Sequence, residues 1–123
     1  MSKLTTLGTS AFYRGGDGVV LESIPNGLRS IPGWAFALCP NVSVGNFENV
    51  NTVGADAFNS CGQNKIVNIL LPTNLNGYSK GCFRNYTTKD TLGTITYEGN
   101  GDIDEVTKFL WGEESTFDPT TIE

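Results

Sequence analysis

One nine-residue pattern occurs four times in this chain and limits the fold more than any other feature. The copies read Leu4-x-x-Leu7-x-x-x-Ala11-Phe12, Leu28-x-x-Ile31-x-x-x-Ala35-Phe36, Val50-x-x-Val53-x-x-x-Ala57-Phe58 and Leu75-x-x-Tyr78-x-x-x-Cys82-Phe83. Successive phenylalanines lie 24, 22 and 25 residues apart, while the spacing inside each copy never changes. A constant unit with a variable gap is a fixed structural element joined by loops that can lengthen. The residue before each phenylalanine is Ala, Ala, Ala and Cys, which marks a tight spot for a small side chain.

Each gap carries a second apolar set. It is clearest in Ile66, Ile69 and Leu71 before Pro72, and again in Leu92, Ile95 and Tyr97. The alternation from Ile69 to Leu71 and from Ile95 to Tyr97 has the period of a strand. Val42 and Val44 read as the same strand in the second gap. In the first gap Val19 and Ile24 fit, but Glu22 stands where an apolar residue is expected. A unit of this size cannot bury its own apolar face, so the copies must stack, with the phenylalanines as an internal ladder. The expected fold class is therefore a β-rich solenoid of about four coils, turning at its many Asn, Gly and Pro residues.

Composition narrows the function classes. The chain has 123 residues, enough for one small domain. Its net charge is −5, with only 8 lysines and arginines, scattered along the chain. Phosphate binding needs a clustered basic surface, so nucleic acid is not an expected partner. Met1 to Thr6 lacks the basic and apolar regions of a signal peptide, and no run approaches the ~20 apolar residues of a membrane span. No membrane partner is expected either. There is no histidine. That removes the usual serine and cysteine triads, and no glycine-rich segment has the lysine of a phosphate loop. Paired carboxylates that could serve a glycosidase gather mostly at Glu113, Glu114 and the tail, outside any pocket so thin a stack could enclose. Cys39, Cys61 and Cys82 form no metal-ligand spacing, and buried reduced thiols are expected. Asn100, Asp102 and Asp104 resemble the start of a calcium loop, but its glycine and distal glutamate are missing. No catalytic residue, cofactor or metal is predicted. The triplets Asn41-Val42-Ser43 and Asn85-Tyr86-Thr87 would carry glycans only in a eukaryotic secretory route.

On these motifs the chain resembles the leucine-rich repeats of the bacterial surface antigen A type, whose consensus is Leu-x-x-Ile-x-Ile-Pro-x-x-Val-x-x-Ile-Gly-x-x-Ala-Phe-x-x-Cys. Val50 to Pro72 follows it closely, through Val53-Gly54, Ala57-Phe58, Cys61, Ile66, Ile69, Leu71 and Pro72. Leu7-Gly8 with Ala11-Phe12, and Ile31-Pro32 with Ala35-Phe36 and Cys39, match in part, and the resemblance spans about residues 4 to 99. It implies a curved solenoid with a narrow strand-lined face used for adhesion and protein interaction. Family members occur in bacterial surface, protozoan and phage proteins. They are often long arrays behind a signal peptide, whereas this sequence starts inside a repeat, and an uncapped end would expose apolar edges.

The pattern stops after Tyr97, dividing the chain into a repeat region, 1–99, and a C-terminal segment, 100–123. Asp102 with Glu105 reads as a capping box, Ile103, Val106 and Leu110 share one helical face, and Gly112 can stop the helix. A helix over about 103 to 111 is predicted. It either caps the last coil through Phe109 and Trp111, or Trp111 and Phe117 anchor a partner protein.

Comparing equivalent positions across copies supplies the other binding candidates. Two places before each phenylalanine stand Ser10, Trp34, Asp56 and Gly81. Trp34 is out of place in that slot, either as an interface anchor or as a ring packed on its own loop. Strand positions facing away from the core, Leu70, Thr96 and Ser23, would line the open face. The function expected is non-catalytic: a structural or decorating protein of a larger assembly, such as a virion, contacting itself or a neighbouring subunit as an oligomer. The rival is a bacterial cell-surface adhesin module binding a host protein or glycan.

Overall fold

In the computed structural model, residues 8, 10–25 and 27–117 are described. Leu4 and Leu7 of the first copy lie outside them. The repeats stack, and every strand pairing is parallel. The strands are β1 (Ser30–Ile31), β2 (Thr52–Val53), β3 (Val67–Leu70), β4 (Gly77–Tyr78) and β5 (Leu92–Thr96), followed by helix α1 (Ile103–Leu110). They form two small open sheets, β1-β2-β4 and β3-β5.

The first sheet holds the residues just ahead of each Ala-Phe element. Ile31, Val53 and Tyr78 stand in register with their side chains buried, and Ser30, Thr52 and Gly77 face outward. Successive copies approach so closely here that a Cβ on Gly54 would lie 2.3 Å from the nitrogen of Gly33, so only glycine fits.

The Ala-Phe elements are runs of tight turns. In the third copy Ala57, Asn59 and Cys61 donate to the carbonyls three residues back, at Gly54, Asp56 and Phe58. The residues between them donate outward. Phe12 bonds the Ala35 carbonyl, Phe36 that of Ala57, and Phe58 that of Cys82. The residues two places either side of Phe12, Phe36 and Phe58 bond the next copy in the same way, as Trp34 to Ala55 and Leu38 to Asn59. Alternate amides thus serve the local turn and the neighbouring copy, which satisfies the backbone of a segment with no regular secondary structure. The geometry requires left-handed backbone at those two flanking places: Ser10 and Arg14, Trp34 and Leu38, Asp56 and Ser60, Gly81 and Asn85 all have φ between 57° and 76°.

The predicted phenylalanine ladder is present. Ring centroids lie 5.4 Å apart for Phe12–Phe36, 5.6 Å for Phe36–Phe58 and 5.9 Å for Phe58–Phe83. Phe47 and Tyr86 pack beside it, and the Tyr86 hydroxyl donates to the Val44 carbonyl.

Three details differ from the sequence reading. Val67, not Ile66, is the inward residue of β3, in register with Leu92, and Ile66 is 65% exposed. Val42 and Val44 are buried but form no strand. That gap has only isolated bridges, Leu21 with Val42 and Asn46 with Leu70, and Phe47 donates its amide to the Leu70 carbonyl. In the first gap Leu21, one place before Glu22, takes the apolar position, and Glu22 reaches out to an ion pair with Lys65.

Helix α1 begins where expected, with the Asp102 carboxylate accepting from the Glu105 amide at 3.3 Å. Glu105 does not reach back to complete the box. Its carboxylate takes the Thr116 amide and hydroxyl, both at 2.8 Å, which lowers its pKa and ties down the chain after the helix. Val106 and Leu110 are buried, whereas Ile103 is exposed. At the C-terminus Gly112 donates to Phe109 and Glu113 to Lys108, a Schellman closure with Gly112 at φ 79°.

Candidate functional site

The six residues singled out in the sequence fall in three places. At the C-terminal end the helix substitutes for the next turn. The last-turn carbonyls of Phe109, which also takes the Gly112 amide, and of Leu110 accept from Gly81 and Phe83 at 2.9 and 2.8 Å. Trp111 meets Phe83 edge-on at 5.3 Å as a fifth ring, and its Nε1 donates to the Tyr86 carbonyl at 2.9 Å. Phe117 is 8% exposed and packs on Phe109 at 5.4 Å. Phe117 is thus turned onto the chain's own core, while the half-buried Trp111 covers one side of Phe83.

A second group lies along the strands. Leu70 and Thr96 are side by side in register, with Asn46 bridged to the other side of Leu70. Ser23 shares a shallow hollow of about 190 Å³ with Asn46. Thr96 and Ser23 are exposed and Leu70 is half-buried.

The third place is the second Ala-Phe element. Trp34 is 40% exposed at φ 58°, and Leu38, four residues on, is also exposed at φ 63°. Tyr13 of the preceding copy meets the Trp34 ring edge-on at 5.8 Å, and the Arg14 guanidinium sits 5.3 Å from the centre of the Tyr13 ring. Left-handed backbone disfavours bulky side chains, and the other slots hold Ser10, Arg14, Asp56, Ser60, Gly81 and Asn85, none of them apolar and bulky. Trp34, Leu38, Tyr13 and Arg14 make a half-exposed aromatic and aliphatic face with one cation on it. Leu38 and Tyr13 were missed in the sequence. Leu38 was detectable by the comparison that found Trp34, since the slot two places after each phenylalanine reads Arg14, Leu38, Ser60 and Asn85.

Reactive groups are withdrawn from solvent. The three cysteines are buried and free. Cys39 and Cys61 donate to the Phe12 and Phe36 carbonyls of the preceding copy at 3.1 and 2.9 Å. Burial raises all three thiols, Cys61 to about 12, which leaves almost no thiolate at neutral pH. No group of three or more metal-ligating side chains occurs among the described residues, and no helix among them is long and apolar enough to cross a membrane.

Stacked parallel copies with small open sheets and a shared aromatic ladder define a repeat protein. The family model described as the BspA type leucine rich repeat region (6 copies) matches residues 5–103, and the chain belongs to that family. No curated protein and no solved structure matches the chain. Membership suggests a solenoid-like repeat fold that works in protein–protein interaction or surface adhesion.

Proposed function

We propose that this chain is a short solenoid that acts as a non-catalytic protein-binding module, and that the face of Tyr13, Trp34 and Leu38 is its principal contact. The observation that carries the reading is the pair of bulky apolar side chains held half-exposed in left-handed slots. Such backbone costs roughly 1–2 kcal/mol per residue, and the fold obtains no full burial in return. Tryptophan, tyrosine and arginine are the side chains that dominate binding energy at protein interfaces. The family's association with protein interaction and surface adhesion points the same way. The virion setting expected from the sequence draws no support from the family match, and the reading stops at a protein-binding module.

The test places a photo-crosslinking amino acid at Tyr13, and separately at Thr52 on the outward row of the first sheet, in cells of the source. Discrete protein adducts from position 13 that disappear with Trp34→Ser, and are absent from position 52, support the reading. Equal adducts from both positions, or adducts indifferent to Trp34→Ser, overturn it. Light scattering of the purified chain then tells whether the partner is a second copy, since self-association lost in Trp34→Ala would identify it.

A further inference from the structure

The helical cap closes only half of the last repeat. On the turn side α1 supplies two carbonyls and the Trp111 ring. On the strand side, among the described residues, β5 has β3 on one edge and no strand on the other. Packing shows the same gap. The inward residues of β3 and the position after it, Val67, Ile69 and Leu71, are 2%, 1% and 4% exposed, whereas Leu92, Ile95 and Tyr97 of the β5 row remain partly exposed. Beside the start of β5 a hollow of about 650 Å³ opens between the turn after Phe83 and the end of α1, lined by Leu92 and Trp111 and otherwise mostly by polar and charged residues, Arg84, Lys89 and Glu113 among them. Thr87 on its wall is a β-branched residue held at φ 64°, a conformation such side chains rarely adopt.

We propose that this half-open end is a docking slot for an extended segment of another protein, which adds a parallel strand beside β5. A sheet edge offers main-chain hydrogen bonds to any strand, while the side-chain row decides which strand fits. The segment runs parallel because every pairing in the stack is parallel. Its apolar residues follow the spacing Leu92-x-x-Ile95-x-Tyr97, which they continue. Charge selects the rest. The exposed acids Glu98, Asp102 and Asp104 follow β5, whereas Lys89 and Asp90 before it offset each other. In parallel register the C-terminal end of the segment lies by Glu98, so it carries lysine or arginine there. A second copy fits poorly, because the chain carries −5 and neither β3 nor β5 is followed by a cation: Leu71-Pro72-Thr73-Asn74 and Tyr97-Glu98 come next. This surface is separate from the Trp34 face.

The test titrates the full chain with the capped peptide Thr-Val-Thr-Thr-Ile-Thr-Tyr-Lys-Lys and with its Glu-Glu counterpart, following amide hydrogen exchange at residues 92–97 and indole fluorescence. The expected result is fast exchange of the outer β5 amides in the free chain and saturable protection by the lysine peptide. Glu98→Lys, an exposed substitution, weakens the lysine peptide about fivefold, the worth of about 1 kcal/mol at a solvated ion pair, and favours the glutamate peptide. Trp34→Ser leaves this binding intact, so this proposal and the previous one fail separately. No saturable protection, equal binding of both peptides, or β5 amides already protected in the free chain would overturn it. Protection that rises with protein concentration alone would make the occupant a second copy and overturn it as well.

Discussion

Truncating the aromatic ladder at its middle should cost about twice as much as truncating it at its first rung. Phe58 is fully buried and touches four other rings, those of Phe36, Phe47, Phe83 and Tyr86, at 5.2 to 5.9 Å. Phe58→Ala loses the transfer free energy of the ring and leaves a cavity walled by those rigid neighbours, a combined cost of about 3–5 kcal/mol. Phe12 is half-buried, and Phe36 is the one ring stacked on it among the described residues. Water can enter the space it vacates, so Phe12→Ala loses only the transfer part, about 1.5–3 kcal/mol. With a urea slope of about 1–3 kcal/mol per molar, the two midpoints should separate by roughly 1 M. Equilibrium urea unfolding followed by the fluorescence of Trp34 and Trp111 reads the difference, and it also shows whether the two ends melt together. Should Phe58→Ala fail to fold, Phe58→Leu, expected at about 1–3 kcal/mol, replaces it. Equal costs at the two sites, or a larger cost at Phe12, would refute the idea that stacked neighbours on both sides set the energy of each rung.

Two further outcomes follow from the titrating groups. Cys39, Cys61 and Cys82 should all be silent to a thiol reagent in the folded chain at neutral pH and all three should react in concentrated urea, since burial raises each thiol; a fast-reacting cysteine in the native state would contradict their placement. Glu105 has its pKa held below 4.5 by the hydrogen bonds from Thr116, so the clasp adds stability above the ordinary carboxylate pKa and loses it as pH falls through the lowered value. The protection factor of the Thr116 amide, its exchange rate compared with that of the unfolded chain at the same pH, should therefore fall on acidification in the wild type and be near one at every pH in Glu105→Ala, whereas a protection factor independent of pH in the wild type would exclude the clasp.

The four-copy pattern was enough to predict that the copies stack with the phenylalanines as an internal ladder, and the segment after it was enough to predict a helix over about 103 to 111 behind an Asp102 cap. Those features depend on spacing and on side-chain size, which a linear sequence carries. The odd side chain at position 34 was legible for the same reason, because internal copies act as their own comparison.

Tertiary structure alone decided the rest. Ile66 and Val67 are both β-branched aliphatic residues, and only the pairing of Val67 with Leu92 selects which one enters the core. The left-handed slots explain Ser10, Asp56, Ser60, Gly81 and Asn85 beside the phenylalanines, but they exist because alternate amides must reach the next copy's carbonyls, a constraint written between coils and not along the chain. The fate of Trp111 and Phe117 was likewise undetermined by their own neighbours in sequence. A solvent-exposed anchor and a fifth rung on Phe83 require the same aromatic residue, and the choice falls to the carbonyls of Phe109 and Leu110 at the end of α1, which meet Gly81 and Phe83 and bring the Trp111 indole with them.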